Sequence, residues 1–169
     1  EAILQTAAAC PDWLKRRWID LIGPDAVIEA YGSSEGAGFT LITGQEWLEH
    51  PGSVGRAIGG ALRILGDDGC EVPAGVVGEV YMRPACYPAP TYRYIGAEPA
   101  KTTEDGFVSV GDLGHVDRDG WLYLSDRRTD LIITGGANVY PAEVEAALPG
   151  GPILNLQYRQ GPHIPILAD

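Results

Sequence analysis

Several short stretches of this chain carry residue types that could handle a polar ligand. In Tyr31-Gly32-Ser33-Ser34-Glu35 the aromatic face could stack on a purine, and the glycine admits close approach of the backbone. The Ser34 hydroxyl could donate to a phosphate, and the Glu35 carboxylate could hold magnesium. The same segment also reads as a polar Gly-Ser turn between a strand and a loop. Gly111-Asp112 closes the run Phe107-Val108-Ser109-Val110. A bare Gly-Asp pair is usually a turn, but an aspartate at a strand end can accept both hydroxyls of a ribose through its two oxygens. Arg127 stands between Asp126 and Asp130, either of which could hold it in a surface salt bridge, and Gly135-Gly136 reads by itself as a generic turn.

The elements that must present these groups are short. Pro11 begins a helix with Asp12 in its first turn, and Trp13, Leu14, Trp18, Leu21 and Ile22 recur at helical spacing, so an amphipathic helix is predicted up to Gly23-Pro24. Ala26-Val27-Ile28 reads as a short buried strand that delivers Tyr31 and its neighbours to its carboxyl end. Ala61 to Leu65 and Val76 to Arg83 are strand-like and are separated by Gly66-Asp67-Asp68-Gly69, a strong turn signal. Asp119-Gly120 predicts a hairpin turn between His115-Val116 and Trp121 to Leu124. Leu131-Ile132-Ile133 predicts a further strand, and Pro141 a helix with Glu143 and Glu145 near its positive end. From Gly106 to Glu145 the charged residues sit at element ends rather than on an alternating face, the pattern of a ligand edge.

Composition narrows the possibilities. At 45% hydrophobic residues, 169 residues suffice for a real core, and 23 glycines with 13 prolines favour turns and short elements over long helices. Net charge is −11 and the 12 basic residues are scattered, so no stripe exists for a phosphate backbone and nucleic-acid binding is not expected. Cys10, Cys70 and Cys86 are odd in number and lack CxxC spacing, which reads as free thiols in a reducing compartment, hence a cytoplasmic protein. No apolar run approaches the length of a membrane span. His50, His115 and His163 have no partners at catalytic or metal spacing and read as surface or turn residues.

Taken together and in order, YGSSEG, GSVGR, GEVYMR, GDLG, SDRRTD and GGANVYPAEVE resemble the AMP-forming adenylate family, which includes acyl-CoA synthetases, luciferase and peptide-synthetase adenylation domains. The GGANVYPAEVE wording is similar to the acyl-CoA ligase branch. The resemblance covers residues 1 to 148 and implies roles one residue at a time. Tyr31 would stack on adenine beside Gly32, Ser34 would meet the α-phosphate and Glu35 would take magnesium. Asp112 would bind the ribose hydroxyls, Arg127 would lie near ribose and phosphate, and Leu124 would be an apolar neighbour of the nucleoside. Thr129 would be the hinge of a mobile lid, and Gly135 and Gly136 would lie near the pantetheine path of coenzyme A. Ser34 stands where the family usually has threonine, which keeps the hydroxyl. Ala7-Ala8 resembles the family's small residues beside adenine.

The implied fold is α+β: residues 1–51 as the end of a large α/β lobe, 52–128 as a small, mostly antiparallel β-barrel, and 129–169 as the start of a small α+β lid. The implied reaction consumes ATP with Mg2+, joins a small-molecule carboxylic acid to AMP, and passes the acyl group to CoA. Intact family members are much longer. They carry upstream a phosphate loop ending in lysine and downstream a lid lysine, neither of which this chain contains, so it reads as a fragment that is inactive alone. Other expectations are an adenylating relative with a different acceptor and a non-catalytic β-rich binding module.

Overall fold

Pro11 and Asp12 start the first helix as predicted, and α1 runs over Asp12–Ile22. Gly23 ends it with φ 88°, and its N–H donates to the Ile19 carbonyl at 2.9 Å. The structure, a computed structural model, describes residues 2–33, 36–85, 99–127, 132–134 and 137–139, the last eight of these (126, 127 and both short segments) as backbone alone. The predicted apolar face of α1 is turned from the observed one. Trp13 and Leu21 are 69% and 70% exposed, whereas Ile19 is buried with Lys15, and Trp18 and Ile22 pack beside them. The ammonium of Lys15 forms a buried ion pair with Glu29 on the next strand and lies 5.0 Å from the centre of the Trp47 ring. A charged residue thus occupies the middle of the helix's packing face.

One sheet organises the chain. Strand β1 (Ile3–Gln5) runs parallel to β2 (Val27–Gly32), and β3 (Phe39–Thr43) returns antiparallel to β2. A short helix, α2 (Gly44–Glu49), follows β3. Next come β4 (Ser53–Ile58), β5 (Gly60–Leu65), β6 (Gly78–Pro84), β7 (Val108–Val116) and β8 (Leu122–Arg127). Their order across the sheet is β1-β2-β3-β4-β8-β7-β6-β5. The α+β class is therefore observed; among the described residues the mostly antiparallel strands form one open eight-stranded sheet with β1 and β5 at its edges, so barrel is a loose word for it. Turn signals predict which strands form hairpins; closure depends on strand tilt and stagger, which local signals do not carry. Separately, β9 (Ile132–Thr134) and β10 (Ala137–Val139) pair antiparallel, with Thr134 opposite Ala137.

Three apolar clusters line the sheet, the smallest made by Leu65, Tyr81 and Phe107. Ile19 of α1 and Trp47 of α2 pack with Val27, Ile42 and Trp121, while Ala37, Ile64, Val80, Met82, Val108 and Leu122 form another cluster, with Tyr31 against its border. The Gly66–Gly69 turn forms as predicted, with Asp68 Oδ1 accepting from the Cys70 N–H at 3.0 Å, but the connection to β6 continues to residue 77. The Asp119-Gly120 turn also forms: Asp117 Oδ1 accepts from the N–H groups of Asp119 and Trp121, both at 2.9 Å, and Gly120 takes φ 83°.

Strand β3 and helix α2 were not anticipated. The helix is opened by a capping box in which the Glu46 N–H donates to Thr43 Oγ1 while Glu46 Oε2 accepts from the Thr43 N–H at 2.9 Å. The Thr43 N–H, together with its hydroxyl, holds the Glu46 carboxyl below its ordinary value of 4.5. A carboxyl with a depressed folded pKa contributes stability that is present above the ordinary value and is lost as pH falls through the folded one. Thr43→Ala is expected to cost about 1 kcal/mol near neutrality and to reduce this acid sensitivity. Denaturant midpoints at neutral and acid pH check it; an unchanged neutral midpoint would mean that the box contributes nothing.

Candidate nucleotide site

Strand β2 carries Tyr31 one residue from its end, opposite Thr40 of β3. Thr40 is fully buried and donates its hydroxyl to the Val54 carbonyl at 2.5 Å, which ties β3 to β4 beneath Tyr31. The Tyr31 ring is half-buried at the border of the cluster formed by Val80, Met82 and Leu122. Its Oη donates to Asp112 Oδ2 at 2.6 Å, joining residues 81 positions apart in sequence. A short bond from a phenol to a carboxylate is charge-assisted, and it fixes ring and carboxylate relative to each other.

Asp112 does not end its strand, as the sequence suggested; β7 continues through it to Val116. Along the β6–β7 ladder Glu79 faces Leu113 and Tyr81 faces Ser109, so residues 110–112 stand opposite Val80 alone. This is a bulge, and Gly111 makes it possible by taking φ 80°, which side-chain-bearing residues rarely adopt. Ser109 Oγ accepts from the Gly111 N–H at 3.1 Å and so secures the turn of the chain. The bulge re-aims Asp112 while β7 remains hydrogen-bonded on both sides. On its other flank Asp112 is the Cα partner of Arg127 in β8, so the register sets these two predicted residues side by side.

Tyr31, Asp112 and the backbone of Arg127 are thus brought to one place. Leu124, in the same β7–β8 hairpin and opposite Gly114, is 37% exposed and offers apolar surface. Gly32 has a structural reason of its own: a Cβ there would stand 2.6 Å from the Gly38 carbonyl oxygen and 2.9 Å from Phe39 Cβ. The chain leaving β2 is held by Ser33, whose carbonyl accepts from the Gly36 N–H at 3.0 Å and whose Oγ accepts from the Ala37 N–H at 3.4 Å. Ser33 was missed; a hydroxyl four residues before a buried alanine is a local backbone-bonding pattern that could have marked it. Ser34, Glu35, the Arg127 side chain, Thr129, Gly135 and Gly136 lie outside the described residues, as do Cys86, His163 and the helix expected from Pro141.

His50 sits at the C-terminal cap of α2, a turn position as expected, whereas His115 lies within β7, and both rings also pack. His50 stacks on Trp121 with ring centres 4.2 Å apart, and His115 stacks on Tyr123 at 5.1 Å. Cys10 and Cys70 are free thiols, and burial pushes the Cys10 thiol above its ordinary value. Among the described residues no three His, Cys, Asp or Glu side chains gather to hold a metal, and no helix is long and apolar enough to cross a membrane.

Comparison with known proteins places the chain in a family. The family model described as AMP-binding enzyme matches residues 1–92. A 2-succinylbenzoate–CoA ligase of Bacillus cytotoxicus is 37% identical over 131 residues, 76% of this chain and 27% of the relative. A sulfoacetate–CoA ligase of Cupriavidus necator is 40% identical over 126 residues, 72% of this chain and 24% of the relative. Among solved structures, o-succinylbenzoate coenzyme A synthetase from Bacillus subtilis in complex with ATP and magnesium ion superposes with TM-score 0.75 at 30% identity, covering 89% of this chain and 31% of that one. The chain therefore matches less than a third of the length of each of these proteins.

Proposed function

This chain belongs to the AMP-binding enzyme family, and on that premise we propose that it forms the nucleoside-holding part of an AMP-forming carboxylic acid–CoA ligase. The observation that carries the reading is the Tyr31–Asp112 hydrogen bond, which unites an aromatic face and a carboxylate from opposite halves of the sheet. An adenosine needs both: a ring to stack on and an acceptor for its ribose hydroxyls. Arg127, next to Asp112 in register, would reach ribose and phosphate, and Leu124 would border the nucleoside. Gly32 would lie under the base, while Ser34 would meet the α-phosphate. Glu35 would hold magnesium, which supplies charge neutralisation at the phosphates.

In the complete enzyme a carboxylate attacks the α-phosphorus of ATP, pyrophosphate leaves, and the thiol of CoA then displaces AMP to give a thioester. Positioning and charge neutralisation carry most of that catalysis. We read residues 1–51 as the end of a large lobe, 52–128 as a β subdomain and 129–169 as the start of a lid hinged at Thr129, with Gly135 and Gly136 beside the CoA path. The substrate is a small carboxylic acid. We place the enzyme in the cytoplasm, where the free thiols Cys10 and Cys70 would stay reduced.

The test is ATP–pyrophosphate exchange by the full-length protein across a panel of carboxylic acids, followed by CoA-dependent release of AMP. Absence of exchange with every acid, in a protein that folds, would refute the reading. Within that assay Tyr31→Phe keeps the ring and removes the bond to Asp112, so the KM for ATP should rise roughly three- to tenfold. Tyr31→Ala should be worse than Tyr31→Phe; equal losses would remove the stacking role.

A further inference from the structure

We propose that Glu79 and Ser109 are positioning residues for Asp112, a buried carboxylate and a hydroxyl that together fix the bulge from which Asp112 meets the ribose. The proposal rests on the ribose role of Asp112 given above. Glu79, near the start of β6, is 5% exposed, a costly place for a carboxylate unless it is bonded. Its Oε2 accepts from the Lys101 ammonium at 2.8 Å, and its Oε1 accepts from the Ser109 hydroxyl at 2.6 Å. The single hydroxyl proton of Ser109 is thereby committed to Glu79, which orients the lone pairs of Oγ toward the Gly111 N–H at 3.1 Å.

The result is one directional chain of bonds: Gly111 N–H to Ser109 Oγ, Ser109 O–H to Glu79, with Lys101 balancing the charge at its far end. Each bond polarises the next. No side chain packs where a Cβ on Gly111 would stand, since nothing lies within 4 Å of that point. The Ser109 hydroxyl is thus the side-chain group that holds the left-handed backbone at Gly111, and the residue that follows it is Asp112. Without the hydroxyl the bulge can relax, and the carboxylate shifts relative to both Tyr31 and the nucleotide. Neither Glu79 nor Ser109 needs to touch substrate for this.

The experiment compares ATP with 2′-deoxy-ATP and 3′-deoxy-ATP in the exchange reaction of the full-length protein. A general loss of structure lowers use of all three nucleotides alike, whereas misplacing Asp112 erodes the preference for ATP. Ser109→Ala and Glu79→Gln should each reduce that preference roughly three- to tenfold, mainly through the KM for ATP, and Ser109→Thr should restore it. Asp112→Ala is measured alongside. If Asp112→Ala abolishes the preference while Ser109→Ala and Glu79→Gln leave it intact, the positioning role is overturned and the ribose role stands. If the natural protein shows no preference, or Asp112→Ala preserves it, both fall together. Should Glu79→Gln fail to fold, Ser109→Ala decides the matter, since it leaves Glu79 paired with Lys101.

Discussion

Replacing Asp112 by alanine in the full-length protein is expected to raise the ATP requirement and slow adenylation by about 2–4 kcal/mol, roughly thirty- to several-hundred-fold. The magnitude follows from the proposed ribose role, under which two charge-assisted hydrogen bonds would be lost at once. The Tyr31 hydroxyl also loses its acceptor, leaving a ring that is half-buried and no longer oriented from its phenol end. Fold and core should survive, because Asp112 belongs to a bulge rather than to the buried ladder positions around Val80 and Leu122. Steady-state exchange kinetics against ATP concentration, with circular dichroism as the control, measures the effect. A variant with unchanged ATP dependence and rate would take Asp112 out of the site.

Lys15→Met should be the most damaging single change to stability, at about 3–5 kcal/mol. It leaves Glu29, 5% exposed between β1 and β3, as a buried carboxylate without its cation. Even in the natural protein, burial pushes the Glu29 carboxyl above its ordinary value of 4.5, with the hydrogen bond and charge of Lys15 opposing that rise. A carboxyl with a raised folded pKa favours the folded state most below its ordinary value, and that advantage is lost as pH rises through the folded one. The deficit of Lys15→Met should therefore be small in acid and grow toward neutrality. Lys15→Met with Glu29→Leu should recover most of the loss, since an apolar pair of similar volume avoids the desolvation cost. Chemical denaturation at several pH values checks all three statements; a single variant as stable as the natural protein at neutral pH would show that the pair is dispensable.

What could be read from the sequence was what local chemistry determines. The Asp119-Gly120 hairpin, the Pro11 helix start and the Gly66–Gly69 turn are set by neighbouring backbone groups, and each forms where expected. The Thr43-x-x-Glu46 box was equally local and was overlooked, so α2 and the strand before it were missed. The face of α1 could not be read from apolar spacing, because its central packing residue is a lysine whose partner lies 14 positions away. Gly111 suggested a strand end, since a glycine in the left-handed region looks the same in sequence whether the strand stops or bulges; only the ladders on both sides decide. Tyr31 and Asp112 were each ambiguous alone. Only the family resemblance made them parts of one site, and their contact across 81 residues is a property of the whole sheet.

The order of strands also sets a timetable for synthesis. Ser53 and Gly55 of β4 pair with Tyr123 and Leu122 of β8, while β5, β6 and β7, made in between, lie beyond β8. A growing chain can zip β2 to β3 to β4, and β5 to β6 to β7, as two separate ribbons. Until β8 leaves the ribosome, one side of β4 and one side of β7 remain unpaired edges, where a chain is most exposed to wrong partners. When β8 slots between them it closes the gap, and only then does Tyr31 on the first ribbon come within reach of Asp112 on the second. On the proposed reading, a nucleotide gripping both residues would bind the completed sheet in preference to either ribbon and would so act as a folding ligand for the newborn chain.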